Sequence, residues 1–231
     1  MDRTIKILCV LALFAINSKA QTFGDSVLTT LKKKSLSELK TLFERSDKHG
    51  PRMVLGRQLL DNYFEYSYGL PEGKGEEIKL LCNENKIIYS KVTSNDKKVY
   101  NSQDSAETKK FLAAYAHFFE SKIKLTDLFC DTIQYGRGCG FVGIDPYQRK
   151  RLKKLIETKN TKELTKLLQS PVTEKQLYGV EGFLALEEKG TKLTPLQKKL
   201  VEFIKTKKGK VKTCNGCIYG DKEISSVFTK S

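Results

Sequence analysis

The chain has 231 residues, 39% apolar and 30% charged, with 42 Lys and Arg against 27 Asp and Glu, for a formal net charge of +15. That mixture excludes a disordered or collagen-like polymer, and the length suffices to bury a core without cross-links. The positive balance attracts polyanions such as acidic glycans, lipid head groups or nucleic acid, and with Trp absent, aromatic platforms must come from Tyr and Phe.

Residues 1–20 carry the three parts of a secretory signal peptide. Arg3 and Lys6 precede an apolar run from Ile7 to Ile16, and Ser18-Lys19-Ala20 then offers small residues where a signal peptidase cuts. The run is well short of the ~20 residues that span a bilayer, and no later segment approaches that length. Cys9 follows Ile7-Leu8 and not the small residues of a lipoprotein signal. The expectation is a secreted or periplasmic protein, with residues 21–231 as a single mainly helical domain and no transmembrane segment after the signal.

Ser35 with Glu38 forms a capping box, opening a helix that buries Leu36, Leu39, Leu42 and Phe43 until His49-Gly50-Pro51 breaks it. The spacing of Leu55, Leu59, Leu60, Tyr63 and Phe64 predicts a second helix over 52–66, ended by a Gly- and Pro-rich loop at 69–75. Three short runs rich in Ile, Val and Tyr then predict a small antiparallel β-meander at 78–101, with Asn83-Glu84-Asn85 and Ser94-Asn95-Asp96 as turns. Asp104 with Glu107 caps a further helix, whose Phe111, Leu112, Tyr115, Phe118 and Phe119 read as core, and a short helix is expected over 126–133. Residues 135–146 hold Gly136, Gly138, Gly140 and Gly143. They lack the Lys-Ser/Thr pair of a phosphate-binding loop, so they read as a tight bend between helices and a candidate sub-boundary.

The run after this loop is the strongest basic cluster. Arg149, Lys150, Arg151, Lys153 and Lys154 form a candidate basic surface, continued by Lys159, Lys162 and Lys166. These cations either solvate the outer face of a helix whose inner face holds Leu152, Leu155 and Ile156, or they meet an acidic polymer. No aromatics are interleaved with them as a single-strand binder needs, so nucleic acid is disfavoured.

Residues 161–208 predict three consecutive short helices. Thr161 caps the first, with Leu164, Leu167 and Leu168 on one face, and Pro171 stops it. Thr173 with Gln176 reads as a capping box for the second, which carries Leu177, Val180, Phe183 and Leu184 and ends at Gly190. Thr194, Pro195 and Gln197 open the third, whose stripe is Leu196, Leu200, Phe203 and Ile204. Helices this short are stable only when packed together. The run from Leu167 to Pro171, with Leu177, Gly179, Val180, Phe183, Leu184, Leu186 and Gly190, resembles one unit of a HEAT-like helical repeat, about 30 to 45 residues long. The resemblance implies stacked antiparallel helix pairs with an exposed groove for a partner, while an ordinary irregular bundle accounts for the same residues. The expected fold class is therefore mainly α, antiparallel helix pairs in a HEAT-like or irregular bundle, with the small antiparallel β-meander around 78–101.

Residues 209–231 form a CxxC hairpin and tail, in which Asn215-Gly216 is the preferred two-residue turn and would set Cys214 opposite Cys217. Beyond the signal there are Cys82, Cys130, Cys139, Cys214 and Cys217. In an exported protein Cys130, Cys139, Cys214 and Cys217 are disulfide candidates, and locality favours Cys130 with Cys139 and Cys214 with Cys217, leaving Cys82 buried. A four-cysteine zinc site would need Cys130 and Cys139 closer together. His49 and His117 have no companions at ligand spacing, and no catalytic motif appears, so neither cofactor nor metal is expected. The functional expectation is an exported non-catalytic binding or scaffolding protein whose basic surface meets another protein or an acidic polymer. The alternative is a thiol–disulfide redox protein or thiol-dependent enzyme using Cys214 and Cys217.

Overall fold

A computed structural model describes residues 25–46, 51–69, 76–94, 97–129 and 133–228. The signal-like residues 1–20, His49, Gly50 and Cys130 lie outside these ranges. A helix over residues 25–33 (α1) leads into α2 (Leu36–Arg45), where the Ser35 hydroxyl accepts from the Glu38 N–H, the forward half of the expected capping box, while the Glu38 carboxylate pairs with Lys33 at 2.9 Å. Five antiparallel strands follow in meander order: β1 (Arg52–Leu60), β2 (Tyr63–Gly69), β3 (Glu77–Asn83), β4 (Lys86–Ser94) and β5 (Lys97–Gln103).

The last three strands are the expected meander; the first two overturn the helix expected over 52–66, and with it the mainly α fold class. The described residues hold seven helices and eight strands, the strands in a five-stranded antiparallel sheet and a three-stranded sheet. Leu60 pairs with Tyr63 across a turn at Asp61-Asn62. The alternation on β1 is Leu55, Arg57, Leu59, all buried. Because its middle member is charged, a count of apolar spacing sees the helical period instead.

Each face of the large sheet carries its own core. On one side Tyr68, Ile78, Leu80, Cys82 and Ile87 pack against Val27 and Leu31 of α1 and Leu36, Leu39 and Phe43 of α2. On the other, Leu59, Leu60, Leu81 and Ile88 join the main core, which takes in Phe111, Tyr115 and Phe119 of α3 (Ser105–Phe119) and the apolar faces of the later helices. These are α4 (Tyr147–Glu157), α5 (Thr161–Leu168), α6 (Thr173–Glu188) and α7 (Pro195–Thr206). The three helices expected over 161–208 are present, with the Thr194–Gln197 box in place and Gly190 at φ +83°. Asn160, not Thr161, caps α5. The helix expected over 126–133 is reduced, in its described part, to a 3₁₀ turn at Leu125–Asp127.

Thr173 and Gln176 have a different task from the one their spacing suggests. Neither caps α6; both point inward, where Thr173 Oγ1 and Gln176 Oε1 accept from the fully buried Lys207 Nζ at 3.1 and 2.8 Å. Beside them Arg57, 1% exposed, donates through Nη1 to both carboxylate oxygens of Glu174 at 2.8 Å and through Nε to Glu65. Glu65 stands on β2 and Glu174 on α6, so this cluster joins the large sheet to the helices. Burial pulls the Arg57 guanidinium down, but Glu65 and Glu174 raise it further, and it remains charged. Burial, with Arg57 alongside, pushes the Lys207 ammonium down to about 7, against the opposing pull of Glu65 and Glu174.

The chain closes with a second sheet, β6 (Tyr135–Cys139), β7 (Lys210–Gly216) and β8 (Ile218–Glu223), where β6 and β7 run parallel and β8 is antiparallel to β7. The Gly-rich segment expected as a bend between helices is thus a strand and the turn after it. Gly136 sits against Cys214 on β7, where any Cβ would overlap the Cys214 carbonyl, which is why the strand needs glycine there.

Candidate binding surface

Two turns at the end of the second sheet lie side by side. Beyond β6, Cys139 and Ile144 exchange both backbone hydrogen bonds (2.9 and 3.2 Å), and the Gly143 N–H donates to the Gly140 carbonyl at 3.0 Å, which closes a four-residue turn around Phe141 and Val142. The Gly140 N–H donates across to the Gly216 carbonyl at 2.7 Å, tying this turn to the β7–β8 hairpin. The Cys139–Cys214 disulfide joins the same two strands, with Cα atoms 5.4 Å apart.

This disulfide corrects the expected pairing of Cys130 with Cys139 and of Cys214 with Cys217. Sequence locality places the hairpin turn at Asn215-Gly216, but Asn215 pairs with Ile218, so the turn residues are Gly216 and Cys217. Gly216, at φ +55°, takes the first central position, as a II′-type turn requires. That shift of one residue sets Cys214 opposite Tyr219 and leaves Cys217 as an exposed thiol at the turn. Cys139, remote in sequence, is carried to Cys214 by the parallel pairing of β6 with β7. Cys82 is buried as expected, its thiol pushed up to about 12 by burial. Among the described residues no cluster of three or more His, Cys, Asp or Glu is placed to hold a metal.

Among the described residues, the two most exposed large apolar side chains, Phe141 and Val142, stand on the first of the twin turns. Phe141 is 93% and Val142 78% exposed, and Ile144, Tyr147, Ile218 and Tyr219 are each more than half exposed. Neither residues 138–144 nor residues 214–220 include a charged side chain, in a chain that is 30% charged. This local loss of charge was the legible signal for the surface, and a search for motifs passes over it.

A rigid support stands behind the turns. The Arg149 guanidinium lies over the rings of Tyr135 and Tyr178 (5.4 and 4.8 Å), donates through Nε to the Gly136 carbonyl at 2.9 Å and pairs through Nη1 with Glu181. Tyr135 Oη donates to Glu181 at 2.7 Å, and Arg137 Nη2 reaches the same carboxylate at 2.7 Å. Burial raises Glu181, but hydrogen bonds from Arg149 and Tyr135 bring it below the ordinary carboxylate range. Burial, then Glu181, pushes the Tyr135 phenol up. Each shift runs away from neutrality, so this cluster fixes geometry and does not exchange protons near pH 7.

The expected basic surface is divided by the fold. Arg149, 3% exposed, is part of the support and not of the surface. Arg151 pairs with Glu163 at 2.7 Å and Lys153 with Asp145 at 2.6 Å. Lys150 and Lys154 are exposed and share a helical face with Tyr147, so a line of positive charge runs back along α4 from the apolar turns. Away from this surface, an open depression of about 390 Å³ lies between α1 and α2, lined by Thr30, Ser37, Glu38, Thr41, Leu42 and Arg45. No family model, curated protein or solved structure matches this chain.

Proposed function

We propose that the protein is an exported, non-catalytic binding protein that engages an acidic partner through the twin turns. The observation that carries this reading is the exposure of Phe141 and Val142 on a turn closed by backbone hydrogen bonds and supported by a disulfide and the Arg149 cluster. Large apolar groups held rigidly in water and rimmed by charge mark an interaction site. The signal-like residues 1–20 and the disulfide both suit an oxidising compartment. The test is retention of a ligand by the full chain and by a Phe141→Ser plus Val142→Ser variant. Binding should vanish while the melting temperature holds; loss only where the fold is lost counts against the reading.

A second reading, thiol–disulfide exchange, has one observation in its favour, the exposed Cys217 thiol three positions from a bonded Cys214. Deprotonated Cys217 would attack Cys214 Sγ, forming Cys214–Cys217 and releasing the Cys139 thiolate to take up the proton. Thiol mapping after incubation at neutral pH decides it, because a label confined to Cys217 removes this reading.

A further inference from the structure

The shape and charge of the twin turns point to the class of partner, an inference that rests on the binding reading above. We infer that they insert into the interface of a lipid bilayer bearing anionic head groups.

The surface is convex. Phe141 and Val142 stand at the end of a closed turn with almost no neighbouring side chain around them, and Ile218 projects from the adjacent hairpin. A protein partner would have to supply a matching cavity for each, whereas a bilayer receives separate apolar side chains without shape complementarity. The charge distribution agrees. The segments that would enter the bilayer, residues 138–144 and 214–220, contain no charged side chain, while the exposed Lys150 and Lys154 stand behind them, where phosphate groups would lie. Tyr147 and Tyr219 are exposed at the boundary, the level at which rings with one polar end collect in membranes. Entry also requires that backbone polar groups be occupied, and the turn meets part of that demand through the Cys139–Ile144, Gly143–Gly140 and Gly140–Gly216 hydrogen bonds. None of the described helices is long and apolar enough to cross a membrane, so the association proposed is with one leaflet.

The experiment uses the full chain with vesicles of phosphatidylcholine alone and of phosphatidylcholine mixed with phosphatidylglycerol. Because the chain has no Trp, a Phe141→Trp variant supplies a single reporter. Its emission should shift to the blue with the anionic vesicles and not with the neutral ones, and bromine-labelled acyl chains should quench it. Sedimentation with anionic vesicles should weaken about tenfold or more in the Phe141→Ser plus Val142→Ser variant. Lys150→Glu with Lys154→Glu should cost about fivefold or more per site and remove much of the salt dependence. An unshifted Trp on anionic vesicles, or sedimentation indifferent to the Phe141 and Val142 changes, overturns the lipid assignment. If a soluble acidic polymer or protein is instead held through Phe141 and Val142, the binding reading survives and the lipid inference falls. If neither vesicles nor any acidic ligand distinguishes the variant from the parent chain, both fall.

Discussion

The seam between sheet and helices and the twin turns invert each other. At the seam, Arg57, Glu65, Glu174 and Lys207 are buried; at the turns, Phe141, Val142 and Ile218 are presented to water. Burying four ionisable groups is costly unless they are paired, and here Arg57 pairs with both Glu65 and Glu174 while Lys207 donates to Thr173 and Gln176, leaving Glu65 Oε2 as the one oxygen of the cluster without a hydrogen bond. Nothing comparable among the described residues covers the turns. The contrast separates residues whose placement is needed for the fold from residues whose placement the fold does not need, and the second kind is where a partner is sought.

The largest expected effect breaks the seam. Glu174→Ala leaves Arg57 half-paired in the interior and should destabilise by about 3–5 kcal/mol, read by urea unfolding. An effect near zero would mean that water already reaches the site. Next is the support of the turns. Replacing Cys139 and Cys214 together by Ala opens a cross-link between residues 75 apart and should cost about 2–4 kcal/mol. It should also loosen the two turns relative to each other.

The pH dependence of the seam is a subtler effect. Lys207 is held at about 7 in the folded state and returns to about 10.4 when unfolded. Between those values the unfolded chain binds more protons, so stability rises as pH rises through 7 and is lowest below it, where both states are protonated. Burial of Cys82 acts in the opposite sense above the ordinary thiol range, so the diagnostic interval is about 7 to 8.5. Thermal melts should show a positive slope there that Lys207→Met removes; a parent chain with no slope would show that Lys207 keeps its charge. The smallest effect belongs to the turns, where Phe141→Ser should change stability by no more than about 0.5 kcal/mol in the same melts. A larger loss would show that Phe141 packs in the fold and is not free for a partner.

Residues 161–208 were legible because α5 to α7 obey local rules: Gly190 ends α6, Thr194 and Gln197 close a box around Pro195, and Leu164, Leu168, Leu200 and Ile204 keep the helical period. The strands over 78–101 and the cap at Asp104 were legible for the same reason. Three misreadings share one cause. Arg57 hid the strand period of β1, Thr173 and Gln176 imitated a cap, and Arg149 looked like surface charge, because each is a polar side chain whose partners come from distant parts of the chain. The apolar turns could have been found from the charge-free stretches at 138–144 and 214–220, but nothing in either stretch says that it lies beside the other.

What the sequence determined by itself was a set of features governed by neighbours within a turn or two of the chain: the caps at Ser35 and Asp104, the stop at Gly190, the Thr194–Gln197 start of α7 and the meander over 78–101, but not the hairpin of β1 and β2. The tertiary structure decided which polar groups go inside, which cysteines meet and where two uncharged turns come together. Those depend on parallel pairing of β6 with β7 across four intervening helices, and on ion partners more than a hundred residues apart. Local propensity carries no information about either, because the free energy that selects them appears only when distant surfaces are brought into contact.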